Sequence, residues 1–277
     1  MTQLNNALYD ELIEAVRAAS RTAIMPRFRN LDPAEISEKN GPTDLVTIAD
    51  QEAEAQITAA AQALMPDALI VGEEAVEDDP SLLDQLAGAD LAVIIDPVDG
   101  TWNFAAGLSV FGVIVAVVEK GETVFGLLYD PVMDDWVRAT KGQGAWFCKP
   151  NGQRERLPGP KPTSEDAVHA YVSTFLFPKE TRPLVTEAMA PFARATSLRC
   201  SCQEYRMFAL GHVDLVVAAW AKPWDHAAGV LVAAECGADV MAGGTPGYDP
   251  AHPMPPVVIV QPGQEWAEGI DWAAFLS

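Results

Sequence analysis

Asp96-Pro97-Val98-Asp99-Gly100-Thr101-Trp102-Asn103-Phe104 follows directly on the apolar run Leu91–Ile95. A short apolar run bounded by turn residues predicts a buried strand, and this one delivers two carboxylates at its end. Pro97 fixes φ between them, and Gly100 allows the backbone to come close to a ligand. A short helix starting near Thr101 would turn its free N–H groups toward an anion. One turn thus places carboxylates for cations beside donors for a phosphate, the oxygen-rich setting that a hard cation such as magnesium prefers. Asp-Pro and Asp-Gly are also common turn dipeptides, so each Asp read singly is a turn former. The intact stretch after a buried strand turns the reading toward a ligand set.

Three further acidic segments lie outward from this one. The apolar run Ala68–Val71 predicts a second buried strand, ending at Gly72-Glu73-Glu74. Asp50 follows Asp44-Leu45-Val46-Thr47, and Asp225 lies in Pro223-Trp224-Asp225-His226-Ala227-Ala228-Gly229 at the mouth of an apolar helix. Taken singly, Asp225 reads as a helix N-cap, Asp50 as a first-turn helix charge and Glu74 as a solvated neighbour of Glu73.

Around these segments the chain alternates between helix and strand patterns. Leu8, Leu12, Val16, Ala19 and Ala23 predict an amphipathic helix over residues 4–25, stopped by Pro26. Asn40-Gly41-Pro42 reads as a loop. Ala53, Ile57, Ala61 and Leu64 predict a second helix, ended by Met65-Pro66. Hairpins are expected at 113–118 with 123–129 and around Lys141-Gly142-Gln143-Gly144. Leu157-Pro158-Gly159-Pro160-Lys161-Pro162 reads as a linker, dividing the chain into residues 1–157, α+β in pattern, and 163–277, α/β in pattern. In the second part, strands are expected at 168–173, 213–219 and 257–260, helices at 181–190 and 225–236, and a long loop at 246–256.

A chain of 277 residues, 49% hydrophobic and 21% charged, can bury a large core as one big domain or two closely packed ones. The formal net charge of −21 repels nucleic acid and anionic lipid, and would repel a phosphorylated metabolite unless cations reverse the local sign. No run of about 18 apolar residues is present to predict a membrane span. Met1–Asn6 lacks the basic start of a signal peptide, and the sparse cysteines, Cys148, Cys200, Cys202 and Cys236, fit a reducing compartment. A cytoplasmic protein is expected. The cysteines read as ordinary, partly buried thiols.

In this order, the four acidic segments resemble those of the inositol monophosphatase family of metal-dependent phosphatases. The likeness runs from the Lys39–Asp50 loop to the Asp225 helix, and the Asp96–Phe104 and Trp224–Gly229 segments are specific as a pair. The resemblance implies a layered α-β-α-β-α sandwich of the inositol monophosphatase and fructose bisphosphatase type. It implies hydrolysis of a small phosphorylated metabolite with two or three Mg2+ ions per site, and a homodimer. Glu73, Asp96 and the Val98 carbonyl would hold one magnesium, and Asp96, Asp99 and Asp225 a second. Glu73 would help to hold a third through water. Glu73, Thr101 and Asp50 would be catalytic, with Asp50 pairing with the Thr101 hydroxyl that receives a proton from the attacking water. Asp99, Gly100, Thr101, Asp225, Ser201 and Glu204 would contact substrate, and Lys39 matches a lysine near the metals.

Relatives act on inositol monophosphates, histidinol phosphate, fructose bisphosphate or phosphorylated nucleotides. Thr101-Trp102-Asn103-Phe104 is closer to the inositol-phosphate branch, so inositol monophosphate is the expected substrate. The alternatives are a sister-branch ester and a non-catalytic inositol-phosphate or metal-binding module. Two departures bear on this choice. Ala218 stands where inositol-specific members carry a glutamate for sugar hydroxyls, seven residues before Asp225. Leu198-Arg199-Cys200-Ser201-Cys202-Gln203-Glu204-Tyr205-Arg206 replaces a Gly-Ser-Ala-type stretch, so that Glu204 or Arg206 is expected either at the substrate or on the surface at a helix start. His169, His212, His226 and His252 lack the spacing of a metal pair, and His226 is a candidate support for Asp225.

Overall fold

The computed structural model describes residues 4–41, 44–159 and 161–277. The first layer is a helix pair. α1 (Asn6–Ala19) buries Tyr9, Leu12, Ile13, Val16 and Ala19 at helical spacing, and Asn5 caps it by accepting from the Leu8 N–H (3.1 Å). The chain then passes through a π-turn at Ser20–Ile24 before Pro26. β1 (Ile36–Gly41) and β2 (Asp44–Thr47) pair antiparallel, which corrects the loop expected across Asn40 and Gly41. An outlying ribbon has no apolar face, so Ser37-Glu38-Lys39 carries no strand pattern to read. Pro42 lies outside the described residues. α2 (Ile48–Leu64) starts from a capping box between Thr47 and Asp50 and buries Ala49, Ala53, Ile57 and Ala61 beside α1.

The second layer is a seven-stranded sheet. Its strands, in chain order and in space, are β3 (Leu69–Gly72), β4 (Leu91–Asp99), β5 (Gly112–Glu119), β6 (Glu122–Asp130), β7 (Asp135–Thr140), β8 (Ala145–Cys148) and β9 (Arg154–Arg156). β3 and β4 run parallel, joined through α3 (Glu73–Asp78) and α4 (Ser81–Leu86). The later neighbours pair antiparallel, and α5 (Thr101–Ala105) links β4 to β5. One face of this sheet, through Val93, Ile95, Val113, Val115 and Val117, packs on α1 and α2.

The other face, through Ile94, Ile114, Ala116 and Leu128, packs on two helices of the third layer. After β10 (His169–Val172), α6 (Arg182–Ala188) and β11 (Arg194–Thr196) come α7 (Ser201–Ala209), β12 (Leu215–Ala218) and α8 (Pro223–Glu235). α8 is apolar nearly all round, as a helix sandwiched between two sheets must be. It approaches β6 closely because Gly126 has no side chain: a Cβ there would lie 2.7 Å from the Ala228 carbonyl oxygen. β13 (Asp239–Ala242), β14 (Thr245–Pro246) and β15 (Val257–Val260) complete a six-stranded sheet in the order β11-β10-β12-β15-β13-β14. Its outer face buries Val185 of α6 together with Phe177, Phe192 and Trp272 near the C-terminal α9 (Glu265–Glu268). Helices, sheet, helices, sheet and helices form the expected α-β-α-β-α sandwich.

Candidate metal centre

β4 does not stop at Asp96 but continues to Asp99, and its pairing with β5 slips between Asp96, opposite Ile114, and Asp99, opposite Gly112. Side chains three apart on a regular strand face opposite sides; an irregularity of this kind re-aims one of them. Asp96 and Asp99 thereby converge with Asp225, and each carboxylate offers an oxygen within 4.8 Å of the others. α8 begins at Pro223, a favoured first helical residue, so Asp225 stands inside the first turn and is not the N-cap; Lys222 is.

The electrostatics of this cluster are costly. Both Asp96 oxygens are buried without a hydrogen-bond partner among the described residues. Burial first, then repulsion from Glu73, Asp99, Asp225 and Asp50, pushes the Asp96 carboxyl well above the ordinary range. Asp99 is pushed up to about 8 by burial and Asp225, although the Cys202 N–H (2.5 Å) and Cys200 thiol (3.1 Å) donate to its Oδ2. Burial raises Asp225 to about 6 and also raises Glu73. Lys39 reaches Glu73 (3.1 Å) and Glu74 (2.7 Å) from β1; burial works against its charge, but the two glutamates keep its pKa above the usual lysine range. Unpartnered carboxylate oxygens in a cluster of like charge fit divalent cations, which remove both the desolvation penalty and the repulsion.

Asp50 is fully buried. Its Oδ2 accepts from the Thr47 N–H (2.9 Å) and hydroxyl (2.5 Å), which leaves Oδ1 to accept from the Thr101 hydroxyl (3.1 Å). The same hydroxyl lies 2.9 Å from the Val98 carbonyl oxygen, the backbone acceptor beside Asp99. Gly100, at φ +84°, makes the turn from β4 into α5, and a Cβ there would press on the Val110 carbonyl (3.0 Å) and Cys200 (3.2 Å). The Ser201 backbone N–H faces the Asp99 carboxylate.

Glu204 is buried rather than at the surface, and its Oε1 accepts from the Leu198 N–H (2.7 Å) and Ser197 hydroxyl (3.0 Å), bracing the strand-to-helix turn. Arg206 is turned away from the metal cluster: it is buried, donating to the Leu128 carbonyl (3.0 Å) and Asp135 (2.5 Å). His226 bonds the Tyr205 hydroxyl (2.9 Å), and burial lowers its pKa to about 4, so it is a neutral core residue. Ala218 ends β12, half-buried.

Four contributors were not legible as such. Cys200 and Cys202 are free, buried thiols, and in addition the Cys200 thiol and the Cys202 backbone N–H hold Asp99. Asn103 donates to the Val110 and Leu198 carbonyls (2.8 Å each), tying α5 to the 198–202 segment. Glu54 of α2 accepts from the Glu74 (2.9 Å) and Ala75 (2.8 Å) N–H groups and so sets the turn that carries Glu73. The signal for Glu54 was its place beside the apolar stripe of Ala53 and Ile57. It fits only because Gly72 is bare: a Cβ there would lie 2.2 Å from Glu54 Cδ. Gly72→Ala is therefore expected to cost about 1–3 kcal/mol of stability through overpacking and to weaken magnesium binding. Urea denaturation and a calorimetric magnesium titration measure both; wild-type values in each would show that Glu54 moves aside freely.

Comparison with known proteins fits this arrangement. The model of the inositol monophosphatase family matches residues 5–271. The chain belongs to the inositol monophosphatase family. A Nus factor SuhB of Vibrio cholerae serotype O1 is 32% identical over 240 residues, covering 83% of this chain and 85% of that protein. A fructose-1,6-bisphosphatase/inositol-1-monophosphatase of Thermotoga maritima is 31% identical over 202 residues, 73% of each chain. The solved structure of an IMPase from Thermotoga maritima superposes with a TM-score of 0.74 at 26% identity, covering 91% of both chains. Members of the inositol monophosphatase family are metal-dependent phosphatases, and this chain is accordingly a phosphoric monoester hydrolase.

Proposed function

We propose that the chain hydrolyses a small phosphate monoester with magnesium at the Asp96 cluster. The observation that carries this reading is the pair of buried Asp96 oxygens, unpartnered among the described residues, beside Asp99 and Asp225 and within reach of the Glu73 charge, with the Thr101–Asp50 pair close in the chain. Glu73, Asp96 and the Val98 carbonyl would hold one ion, and Asp96, Asp99 and Asp225 a second, with Glu73 helping to hold a third. The Val98 carbonyl can serve both an ion and the Thr101 hydroxyl because it has two lone pairs. When bound, such ions supply the positive charge that draws a phosphate dianion into an acidic cleft, together with Lewis-acid activation of water and leaving oxygen.

The rest falls to the protein's own groups. The Gly100 and Thr101 N–H groups, which have no carbonyl to bond within α5, receive phosphate oxygens. Glu73 and Thr101 flank the attacking water. Thr101 Oγ accepts its proton while donating to Asp50 Oδ1, and Asp50 is held for this by Thr47. Phosphoryl transfer needs positioning and charge stabilisation, so no covalent nucleophile is required. The ligands come from both parts of the chain, Glu73, Asp96 and Asp99 from residues 1–157 and Asp225 from 163–277. Ser201 and Glu204 would shape the substrate side through the 198–206 segment. A homodimer in the cytoplasm belongs to the same reading.

Thr101-Trp102-Asn103-Phe104 favours inositol monophosphate as substrate; Ala218 and the altered 198–206 segment favour a sister-branch ester such as fructose bisphosphate, histidinol phosphate or a 3′-phosphonucleotide. Phosphate release from a panel of these esters, with and without magnesium, tests the reading. Metal-dependent turnover supports it, and metal bound without turnover of any ester points to a binding module. Thr101→Ala is expected to lower kcat by about 10²–10⁴-fold, the usual worth of a positioned proton acceptor, with magnesium affinity retained. A kcat within a factor of a few of wild type would remove Thr101 from the proton path.

A further inference from the structure

Arg199 is left unused by the chemistry above, and its setting is unusual. It takes φ +54°, a left-handed conformation uncommon for a residue with a Cβ and enriched at functional sites. The surrounding structure holds it there. Its N–H donates to the Ser197 hydroxyl (3.1 Å), Asn103 grips the preceding Leu198 carbonyl, and the next residue, Cys200, bonds Asp99. The side chain lies over Trp102, the neighbour of Thr101, with the guanidinium carbon 4.0 Å from the ring centroid.

The basic side chains around the centre differ in one respect. Lys39 is paired with Glu73 and Glu74, and the charge of Lys222 acts on Glu73 and Asp225. Arg199 has no carboxylate partner among the described residues, and burial lowers its pKa with no carboxylate to offset it. In a chain of net charge −21, a guanidinium stacked on the neighbour of Thr101, without a counter-ion among the described residues, is a planar fork of free donors. Ala218, seven residues before Asp225, provides no carboxylate for polyol hydroxyls.

We propose that Arg199 determines specificity: from its seat on Trp102 it binds a second anionic group of the substrate, phosphate or carboxylate, so that doubly anionic esters are preferred to singly phosphorylated polyols. This rests on the phosphatase reading and narrows it. Arg199→Gly is the informative variant, because glycine adopts φ +54° without strain and the backbone around Asp99 is kept. With magnesium present, kcat/KM is measured for fructose-1,6-bisphosphate, adenosine 3′,5′-bisphosphate, 2-phosphoglycerate and glycerol-2-phosphate. The ratio of a doubly anionic ester to glycerol-2-phosphate is expected to fall roughly tenfold or more in the variant, mainly through KM, and Arg199→Lys to restore part of it. Whether the bisphosphates or the carboxylate ester lose the ratio identifies the anion. An unchanged ratio, an equal fall for every ester, or a wild type that hydrolyses only glycerol-2-phosphate overturns the inference. No turnover of any ester by the wild type overturns the phosphatase reading itself, and the inference with it.

Discussion

Asp96→Asn is expected to lose magnesium-dependent phosphate release by at least about a thousandfold in kcat/KM, while the metal-free protein stays as stable as wild type or becomes more so. Asp96 sits at the centre of the acidic cluster, and the proposed ligand sets share it. Removing its charge removes the bridge on which charge stabilisation depends, and a thousandfold is about 4 kcal/mol of transition-state stabilisation. In the absence of metal the same substitution relieves the protein. The wild-type carboxylate is buried with neither oxygen hydrogen-bonded among the described residues, and it feels the charges of Glu73, Asp99, Asp225 and Asp50. An amide of the same shape carries no charge and offers donors to those neighbours. Phosphate release, with thermal melting in a chelator, separates the two effects. Near-normal turnover would sink the metal assignment. A melting temperature lowered by more than about 5 °C, the shift that 1–2 kcal/mol produces in a chain of this size, would mean that Asp96 has a structural task instead.

The stability of the metal-free protein should fall as pH rises from 6.5 to 8. Burial and mutual repulsion place Asp99 near 8, Asp50, Glu74 and Glu204 near 7, and Asp225 near 6. Unfolded carboxyls titrate near 4. Between these limits the native state binds more protons than the unfolded state, so each rise in pH favours unfolding. One net proton across this interval is worth about 1.4 kcal/mol per pH unit. Below 6.5 the opposite contribution sets in, because buried His226, held near 4, must be charged in the unfolded state but not in the native one. Magnesium should flatten the slope, since cations replace the protons that the cluster otherwise needs. At a hundred times its dissociation constant, one ion adds about 2.7 kcal/mol, which is several degrees of melting temperature. Melting curves in chelator and in magnesium at both pH values read this directly. A chelated protein that melts at the same or a higher temperature at pH 8, or a melting point indifferent to magnesium, would show that the cluster does not hold metal.

The acidic segments could be read in the chain because each is a local event. Leu91–Ile95 and Leu69–Val71 are buried strands whose acids follow at their ends, and Thr47 with Asp50 is a capping box written over four residues. What escaped was either a pattern without an apolar signature, such as the β1–β2 ribbon, or a contact between distant segments. Glu54 makes its contact across the fold, where Gly72, bare of a side chain, lets β3 close over it. Glu204 and Arg206 read as substrate contacts or surface residues because a charged side chain in a helix gives no sign of the partner that will bury it.

From the sequence alone came the strands and helices, through hydrophobic periodicity and turn chemistry, and, through the resemblance that the order of its acidic segments carries, the family, the layered fold and the proposed carboxylates. Only the tertiary structure decided that Asp96 and Asp99 share a side, which depends on a slip in register against β5. It alone decided that Cys200 and Cys202 bond Asp99 across more than a hundred residues, and that Arg199 rests on Trp102 without a counter-ion among the described residues. Such features arise from the packing of α7 and α8 against the seven-stranded sheet, and no short-range pattern encodes which distant groups that packing brings together.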